Sequence, residues 1–406
     1  MSKLPMEGIR IADFTWWLAG TNATRILANH GAEVIKIESK AHPDTTRNAN
    51  PALPVKPGTG VSSGFNVLNP SKLAINLNLK HPKGLELVKR LIAVSDIVSD
   101  NMSGGAMERA GLGYEELVKL KPDIIVINMP VMGPGGPHSH WTGQGDQITA
   151  AAGLWHMTGY PDKLGVGPGS VLTDWSGVPY HAATAMLAAL HYRNKTGKGQ
   201  HIVLSQYETA IDSLGTAILD YTTNGRVQTR TGNRSPYGAP HGVYRCQGDD
   251  RWCAIAVFSD QEWQGLCRAM GDPEWSREPK FNTALGRMDN VDELERLVEE
   301  WTSERSAEEV MRSLQEQGVA AAVVQNGRDL LENDPQLKAV DHFVSLRYPE
   351  GGEMFVGADS FKLSATPGRP RMHAPLWGEH NEYVFREILH LSEEEYAEYE
   401  RDGVFE

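Results

Sequence analysis

The segment GIRIADFTWWLAGTNATRILANHGAEVIKIE, residues 8–38, decides the fold class. Residues 8–14 read as a buried strand, residues 15–20 as a turn, and residues 21–30 as a helix stopped by Gly31. Residues 32–38 then read as a second strand. A strand–helix–strand opening calls for parallel strands joined by a crossover helix, so the expected class is α/β. A dinucleotide site would need three glycines in the first turn, and here Gly20 stands alone. The topology therefore comes without the nicotinamide fingerprint.

Working outward, the same alternation continues. Residues 72–79 (KLAINLNL) predict a strand, and residues 82–94 a helix with Leu85, Val88, Leu91 and Ile92 on one side. Residues 96–99 predict a strand that runs into the small-residue loop 100–105, and residues 124–129 predict another. Loops after such strands are where open α/β sheets bind ligands. Residues 130–160 are too rich in glycine, proline and histidine for one long element and read as loops over a site. Residues 205–223 predict a helix, and the polar stretch 224–240 marks a composition shift. Beyond it come a hairpin around residues 248–250, acidic amphipathic helices, and a strand at 319–324. Strands near 342–347 and 354–363 and helices over 381–400 complete the chain. The expected domains are 1–225 (large), 226–325 (small, α/β) and 326–406 (C-terminal).

Composition narrows the functional classes. With 40% hydrophobic and 22% charged residues, the 406-residue chain can bury full cores. A net charge of -13 argues against bulk nucleic-acid binding. No apolar run reaches membrane-spanning length, and residues 1–14 lack a signal-peptide core. Cys246, Cys253 and Cys267 form no metal spacing, so reduced thiols and a cytoplasmic location are expected. His138, His140 and His156 lack the spacing of a metal site, and no metal is expected. Lys36, Lys40, Lys72, Lys80 and Arg109 lie in the first part of the chain, where residues of this kind ordinarily sit on solvated surfaces. Trp16, Trp17, Trp141, Trp155 and Trp175 fall at loop or turn positions, from which they line a pocket or pack in a core.

One carboxylate draws attention. In GVGPGSVLTDWSGVPYHAATAMLAALHYRNKTGKGQHIVLSQY, residues 165–207, a glycine-rich loop delivers Asp174 and Trp175, and Ser176 opens an apolar helix. Val178, Ala182, Ala185, Met186 and Ala189 form its predicted buried face, and Gly197 its stop. Asp174 thus sits before a helix N-terminus, whose dipole favours the ionised carboxylate. The local pattern admits a helix-capping role equally well.

Motifs spread along the whole chain go further. They are GIRIADFTWWLAG with GAEVIKIE, KLAINLNLKHPKG, and DNMSGGAMERAGLGYEEL with KPDIIVINM. Next come TGYPD followed by Asp174, AALHYRNKTGKGQHIVLSQYE, RTGNRSP, NDPQLKA and APLWGEHNEYV. In this order they resemble the class III coenzyme A transferases, the group of formyl-CoA, carnitine and benzylsuccinate CoA-transferases. The resemblance implies Asp174 as a nucleophile that forms mixed-anhydride and aspartyl-CoA thioester intermediates. Covalent catalysis of this kind splits one difficult exchange into easier steps. Oxyanion donors are expected from backbone N–H groups near Ser176 and Gly177. By motif position, coenzyme A falls to Leu18 and Ala19, to Leu77, Asn78, Leu79 and Lys80, and to Asn101, Met102 and Ser103 with Arg109. Lys80 and Arg109 would pair with phosphate.

The resemblance also implies a Rossmann-like large domain built from both chain ends, a smaller α/β domain, and ring-shaped subunits interlocked in a dimer. The implied partners are an acyl-CoA donor, a carboxylic acid acceptor, and a second identical or related subunit. Several positions depart from the formyl-CoA relatives. Their first-turn glutamine is Leu18, their arginine after the second strand is Ser39, and a loop glutamate aligns near Gly145. Their glycine run aligns with residues 235–238. Leu18 beside tryptophans points to a larger or more apolar acid, such as a dicarboxylic or aryl-substituted succinate, with succinyl-CoA as donor. Two alternatives stay open: α-proton transfer of the 2-methylacyl-CoA racemase type, and a non-catalytic CoA-binding subunit of a heteromer.

Overall fold

Six parallel strands frame the candidate site. In a computed structural model, which describes residues 3–48, 62–349 and 352–406, these are β1 (Arg10–Asp13), β2 (Glu33–Glu38), β3 (Leu73–Asn76), β4 (Ile97–Asp100), β5 (Ile125–Asn128) and β6 (Gln200–Val203). Their order is β3-β2-β1-β4-β5-β6, every neighbouring pair parallel. β1 to β5 are short and rich in Ile, Val and Ala, as strands covered on both faces must be. The chain runs outward from β1 to β3, then returns to lay β4 on the other side of β1. That reversal leaves a crevice at the carboxyl ends of β1 and β4.

Two helices build one wall of this frame. The helix Ala19–Asn29 is buried along its whole length, and the helix Val178–Thr196 packs on it through Val178, Ala182, Met186 and Ala189. The latter ends at Gly197 in the left-handed conformation, φ 71°, whose N–H bonds Arg193 O. On the other face, Leu87, Val88, Leu91 and Ile92 of the helix Pro82–Ala93 join Val384, Phe385 and Phe405 in a second core.

The chain divides into two compact units. One comprises Met1–Trp155, Gly167–Val227 and Lys338–Glu406; the other comprises His156–Val166 and Gln228–Leu337. The first holds the parallel sheet and an antiparallel pair, β10 (Phe343–Arg347) with β11 (Glu353–Gly357). The second holds an antiparallel sheet of β7 (His241–Arg245), β8 (Trp252–Ala256) and β9 (Ala320–Val323). Trp263, Phe281, Leu294, Val298 and Leu314 form its core.

Three local expectations change. The helix predicted over 205–223 is two helices, Gln206–Asp212 and Gly215–Asn224, interrupted at Leu214 (φ -102°, ψ 12°). Residues 130–160 include the short helices Gly145–Ala151 and Leu154–Met157. Lys36 and Lys72 are not surface charges: both side chains are 0% exposed and pair with Asp44 at 2.9 Å and Asp13 at 3.1 Å. The three cysteines are buried free thiols.

Candidate functional site

The loop after β1 is held from beneath by buried charge. Asp13 accepts hydrogen bonds from the Thr15 hydroxyl (2.6 Å), the Thr24 hydroxyl (2.9 Å) and Lys72 Nζ (3.1 Å). Lys36 Nζ donates to the Thr15 carbonyl at 2.6 Å. Burial raises the Asp13 carboxyl, but Lys72 and Lys36 outweigh it and hold the carboxyl below its usual range. Burial pushes Lys72 down to about 8. For Lys36 the neighbouring Asp44, Glu38 and Asp13 overcome burial, and its affinity for a proton rises.

From this base the loops after β1 and β4 are tied together. Asn101 Oδ1 accepts from Trp16 N at 2.8 Å, and Asn101 Nδ2 donates to Trp16 O at 2.7 Å. Trp17 follows with φ 58°, a left-handed conformation uncommon for a bulky residue. Gly20 permits the close approach, since a Cβ there would lie 2.7 Å from Thr15 Cγ2. These loops line a cavity of about 340 Å³ through Trp16, Trp17, Leu18, Ala19, Asn101 and Met102.

Asp174 lines the same cavity. It lies in a π-helical turn, Thr173–Gly177, and the helix proper begins at Val178. Asn22 Nδ2 donates to the Trp175 carbonyl at 3.1 Å, fixing the turn to the helix Ala19–Asn29. The Asp174 carboxylate accepts from the Gly145 N–H and from the Thr173 hydroxyl, the latter at 3.4 Å. Asp174 is 6% exposed, and burial pushes its carboxyl up to about 6, with the nearby Asp146 adding to the rise. The expected dipole effect is therefore overturned: desolvation outweighs what the helix beyond the turn contributes. Among the described residues no Lys, Arg or His lines this cavity.

The other sequence candidates distribute unevenly. Met102 also lines a second cavity of about 340 Å³ beside the first, and Ser103 lines the second alone. Residues 77–80 follow β3, two strands away from β1 and so roughly 10 Å along the sheet edge. There the Leu77 side chain is committed to the core, and Lys80 is exposed. Arg109 is exposed beside Gly104 and lines neither cavity. Ser176 and Gly177 lie inside the helical run, while the N–H that meets the carboxylate is that of Gly145. In the sequence Gly145 stands out only as the position near which a loop glutamate of the formyl-CoA relatives aligns, and Asp146 and Gln206 carry no signal beyond a glycine-rich loop. Of the tryptophans, Trp16 and Trp17 line the cavity and Trp175 does not. No group of three or more His, Cys, Asp or Glu among the described residues could hold a metal ion, and no helix there is long and apolar enough to cross a membrane.

Comparisons with known proteins agree with one another. The chain is similar to the succinyl-CoA–D-citramalate CoA-transferase of Chloroflexus aurantiacus, 32% identical over 393 residues, covering 97% of this chain and 96% of that one. It is similar to the succinyl-CoA–L-malate CoA-transferase beta subunit of the same organism, 30% identical over 398 residues, covering 97% and 96%. The crystal structure of a CaiB/BaiF family protein from Brucella suis matches with a TM-score of 0.87 at 27% identity, covering 95% of this chain and 100% of that one. The sequence pattern of CoA-transferase family III matches residues 6–381. The chain belongs to CoA-transferase family III and is a class III CoA-transferase acting on acyl-CoA.

Proposed function

We propose that Asp174 is the nucleophile of this transferase and that the cavity at the β1–β4 crevice receives the reacting thioester. One observation carries the reading: a buried carboxylate opens on the same cavity as Leu18, Ala19, Asn101 and Met102. A carboxyl at about 6 is still mainly ionised at neutral pH, and poorly solvated enough to attack. In the first step an Asp174 oxygen attacks the donor thioester carbonyl. The C–S bond breaks, coenzyme A leaves as thiolate, and a mixed anhydride remains. The thiolate then attacks the aspartyl carbonyl, which releases the donor acid and leaves an aspartyl-CoA thioester. The acceptor carboxylate displaces the thiolate to form a second anhydride. Attack of thiolate on the acceptor carbonyl yields the new thioester and restores Asp174. No net proton is consumed.

Each tetrahedral step needs donors for its oxyanion. Gly145 N–H already meets the carboxylate. The helix Ala19–Asn29 begins on the cavity with no side-chain cap at Leu18, so its first-turn N–H groups supply a further positive end. We assign coenzyme A to residues 18–19, 77–80 and 101–103, with Lys80 and Arg109 as exposed phosphate partners.

Succinyl-CoA is the proposed donor, by analogy with what the two Chloroflexus relatives are named for. The proposed acceptor is a dicarboxylic or aryl-substituted succinate, which Trp16, Trp17 and Leu18 favour as an apolar wall. A second chain is also proposed. In the helix Gly215–Asn224 only Asp220 is buried, while Ile218, Leu219 and Tyr221 are exposed, an apolar face suited to an identical or related subunit. One relative is named as a beta subunit. In the proposed assembly the unit with the parallel sheet is the CoA-binding domain.

Trapping tests the mechanism. Wild-type protein incubated with succinyl-CoA and hydroxylamine should gain a hydroxamate on the peptide carrying Asp174, and Asp174→Asn should gain none and lose exchange. An unmodified Asp174 in an active enzyme would overturn the assignment, as would α-deuterium uptake from deuterated water with no acceptor required.

A further inference from the structure

The ends of β4 and β5 and the second residue of β6 carry three polar side chains that the transfer steps do not use. Asp100, the last residue of β4, is 3% exposed. Its Oδ1 accepts from Met102 N at 3.1 Å, and its Oδ2 accepts from Asn128 Nδ2 on the adjacent strand, where the two residues are in register. Asn128 Oδ1 in turn meets His201 Nε2 on β6. The His201 ring stacks on Tyr114, centroids 5.0 Å apart and planes at 12°. Asp100, Asn128 and His201 all line the second cavity, together with Met102 and Ser103.

The chain of hydrogen bonds has a direction. An amide nitrogen only donates and an amide oxygen only accepts. While Asp100 is ionised, Asn128 must offer Nδ2 to it and Oδ1 to His201, so the imidazole keeps its proton on Nε2. The same carboxylate holds Met102 N, and with it the 101–103 loop. Met102 lines the Asp174 cavity as well, so the loop is shared by both cavities.

We propose that Asp100 is a positioning residue for the 101–103 loop and that Asp100, Asn128 and His201 form a proton-linked switch on coenzyme A binding. One proton taken from solvent by Asp100 Oδ2 turns that oxygen into a donor. The Asn128 amide then rotates, giving Oδ1 to Asp100 and Nδ2 to His201. His201 Nε2 becomes an acceptor, losing its proton to solvent while Nδ1 takes one up, so the net uptake is one proton. The neutral acid holds Met102 N less firmly, and the loop loosens.

The surroundings put this transition near neutrality. Burial pushes the Asp100 carboxyl up to about 7 against the hydrogen bonds from Asn128 and Met102, and Glu108 on the facing helix adds to the rise. Burial pushes His201 below its usual value, opposed by Glu108 and Glu115. His140 is the remaining titratable group lining the cavity, and among the described residues no Lys or Arg lines it.

This inference rests on the assignment of residues 101–103 to coenzyme A, and the test separates the two. Calorimetric binding of coenzyme A to the full chain is measured from pH 6 to 8.5 in wild type, Asp100→Asn and Ser103→Trp. Wild type should bind about tenfold more weakly one pH unit below the midpoint, as expected when only the ionised form is competent. Asp100→Asn should lack that component, the titration of the ligand's own phosphates being common to both. Ser103→Trp should block binding at every pH. Normal binding by Ser103→Trp would overturn the site assignment; blocked binding with an unchanged pH dependence in Asp100→Asn would overturn the switch. Nitrogen-15 spectra of wild-type histidines provide the check that needs no folded variant at position 100. The His201 ring should move from Nε2–H at pH 8 to Nδ1–H near pH 6, and a constant Nε2–H tautomer would overturn the switch.

Discussion

Gly145 and Asp174 approach so closely that a single methyl group at residue 145 would lie 2.5 Å from Asp174 Oδ2. The same methyl would lie 2.7 Å from the Val171 side chain, so it has no free direction to move. Position 145 therefore has to remain glycine for the carboxylate to keep its main-chain donor. Gly145→Ala is expected to lower kcat at least 100-fold, in the range that loss of one preorganised donor produces. Coenzyme A affinity should change little, because the residues proposed to hold it lie on the loops after β1, β3 and β4 and not on the segment that carries Gly145. Steady-state kinetics beside direct coenzyme A binding separates the two effects, and a selective loss of affinity would count against this placement.

The pH dependence follows from burial of Asp174. Its carboxyl at about 6 predicts an acid limb in kcat/KM near pH 6. Asp146 contributes to the rise, so Asp146→Asn should move that limb to lower pH and keep activity under more acid conditions. An acid limb that stays in place in Asp146→Asn would remove Asp146 from the electrostatics of the site.

The same shift makes Asp174 a cost to the fold. Its folded value exceeds the ordinary 3.8, so the folded chain binds the proton more tightly. Stability gained by protonation appears as pH falls from about 6 toward 4, and the burial penalty is complete above pH 6. Asp174→Asn should therefore raise Tm at pH 8 by about 2–4 °C while abolishing exchange. Equal or lower Tm in that variant at pH 8 would contradict the burial argument.

Residues 8–38 carried most of what was legible. Short apolar strands bounded by glycine, with a helix between them, specify a parallel sheet wherever they occur, and β1, the helix Ala19–Asn29 and β2 lie where the pattern puts them. Hydrophobic period also identified Val178, Ala182, Met186 and Ala189 as a buried face, while Ala185, expected with them, is only half-buried. Lys36 and Lys72 were opaque, because periodicity says nothing about a charge whose partner is distant in sequence: Lys72 meets Asp13 across 59 residues. Asp174 was visible as a candidate, but its electrostatics were not. The helix dipole is a local property, whereas desolvation depends on the loop carrying Gly145 and on the Trp16–Asn101 pairing. Asn128 gave no sign at all, since its role exists only through strand register with Asp100.

The buried pairs beneath the β1 loop should be costly to break. Asp13→Asn leaves Lys72 charged and unpaired in the interior, a change worth about 3–5 kcal/mol. The sign of its pH dependence is fixed by Lys72, whose folded value of about 8 lies below the ordinary 10.5. Asp13 raises that value, so in Asp13→Asn it falls below 8 and the variant sheds the buried charge at a lower pH than wild type does. The Tm deficit of Asp13→Asn relative to wild type should therefore shrink as pH rises toward about 8 and level off above it, as measured by thermal unfolding. A deficit that grows with pH would mean that Lys72 is not the group left exposed to the loss.

Acceptor choice should answer to the wall of the cavity rather than to the nucleophile. Leu18 stands at the start of the helix Ala19–Asn29, beside Trp16 and Trp17, and lines the cavity with Asp174. An apolar wall gains from an aryl or alkyl substituent on the acid and leaves the hydroxyl or second carboxylate of a small acid without a partner there. Contacts of this size change discrimination by about 1–3 kcal/mol. Leu18→Gln should therefore raise kcat/KM for malate relative to benzylsuccinate by about tenfold or more, and Trp17→Ala should lower the rate with benzylsuccinate more than with malate. Hydroxylamine trapping of Asp174 with succinyl-CoA should be unaffected in Trp17→Ala, which lies outside the residues assigned to coenzyme A, since the donor half-reaction precedes acceptor entry. Parallel losses with every acceptor in Trp17→Ala would instead add Trp17 to the coenzyme A site, and the acceptor wall would have to be sought at Val131 and Gln206, which line the same cavity.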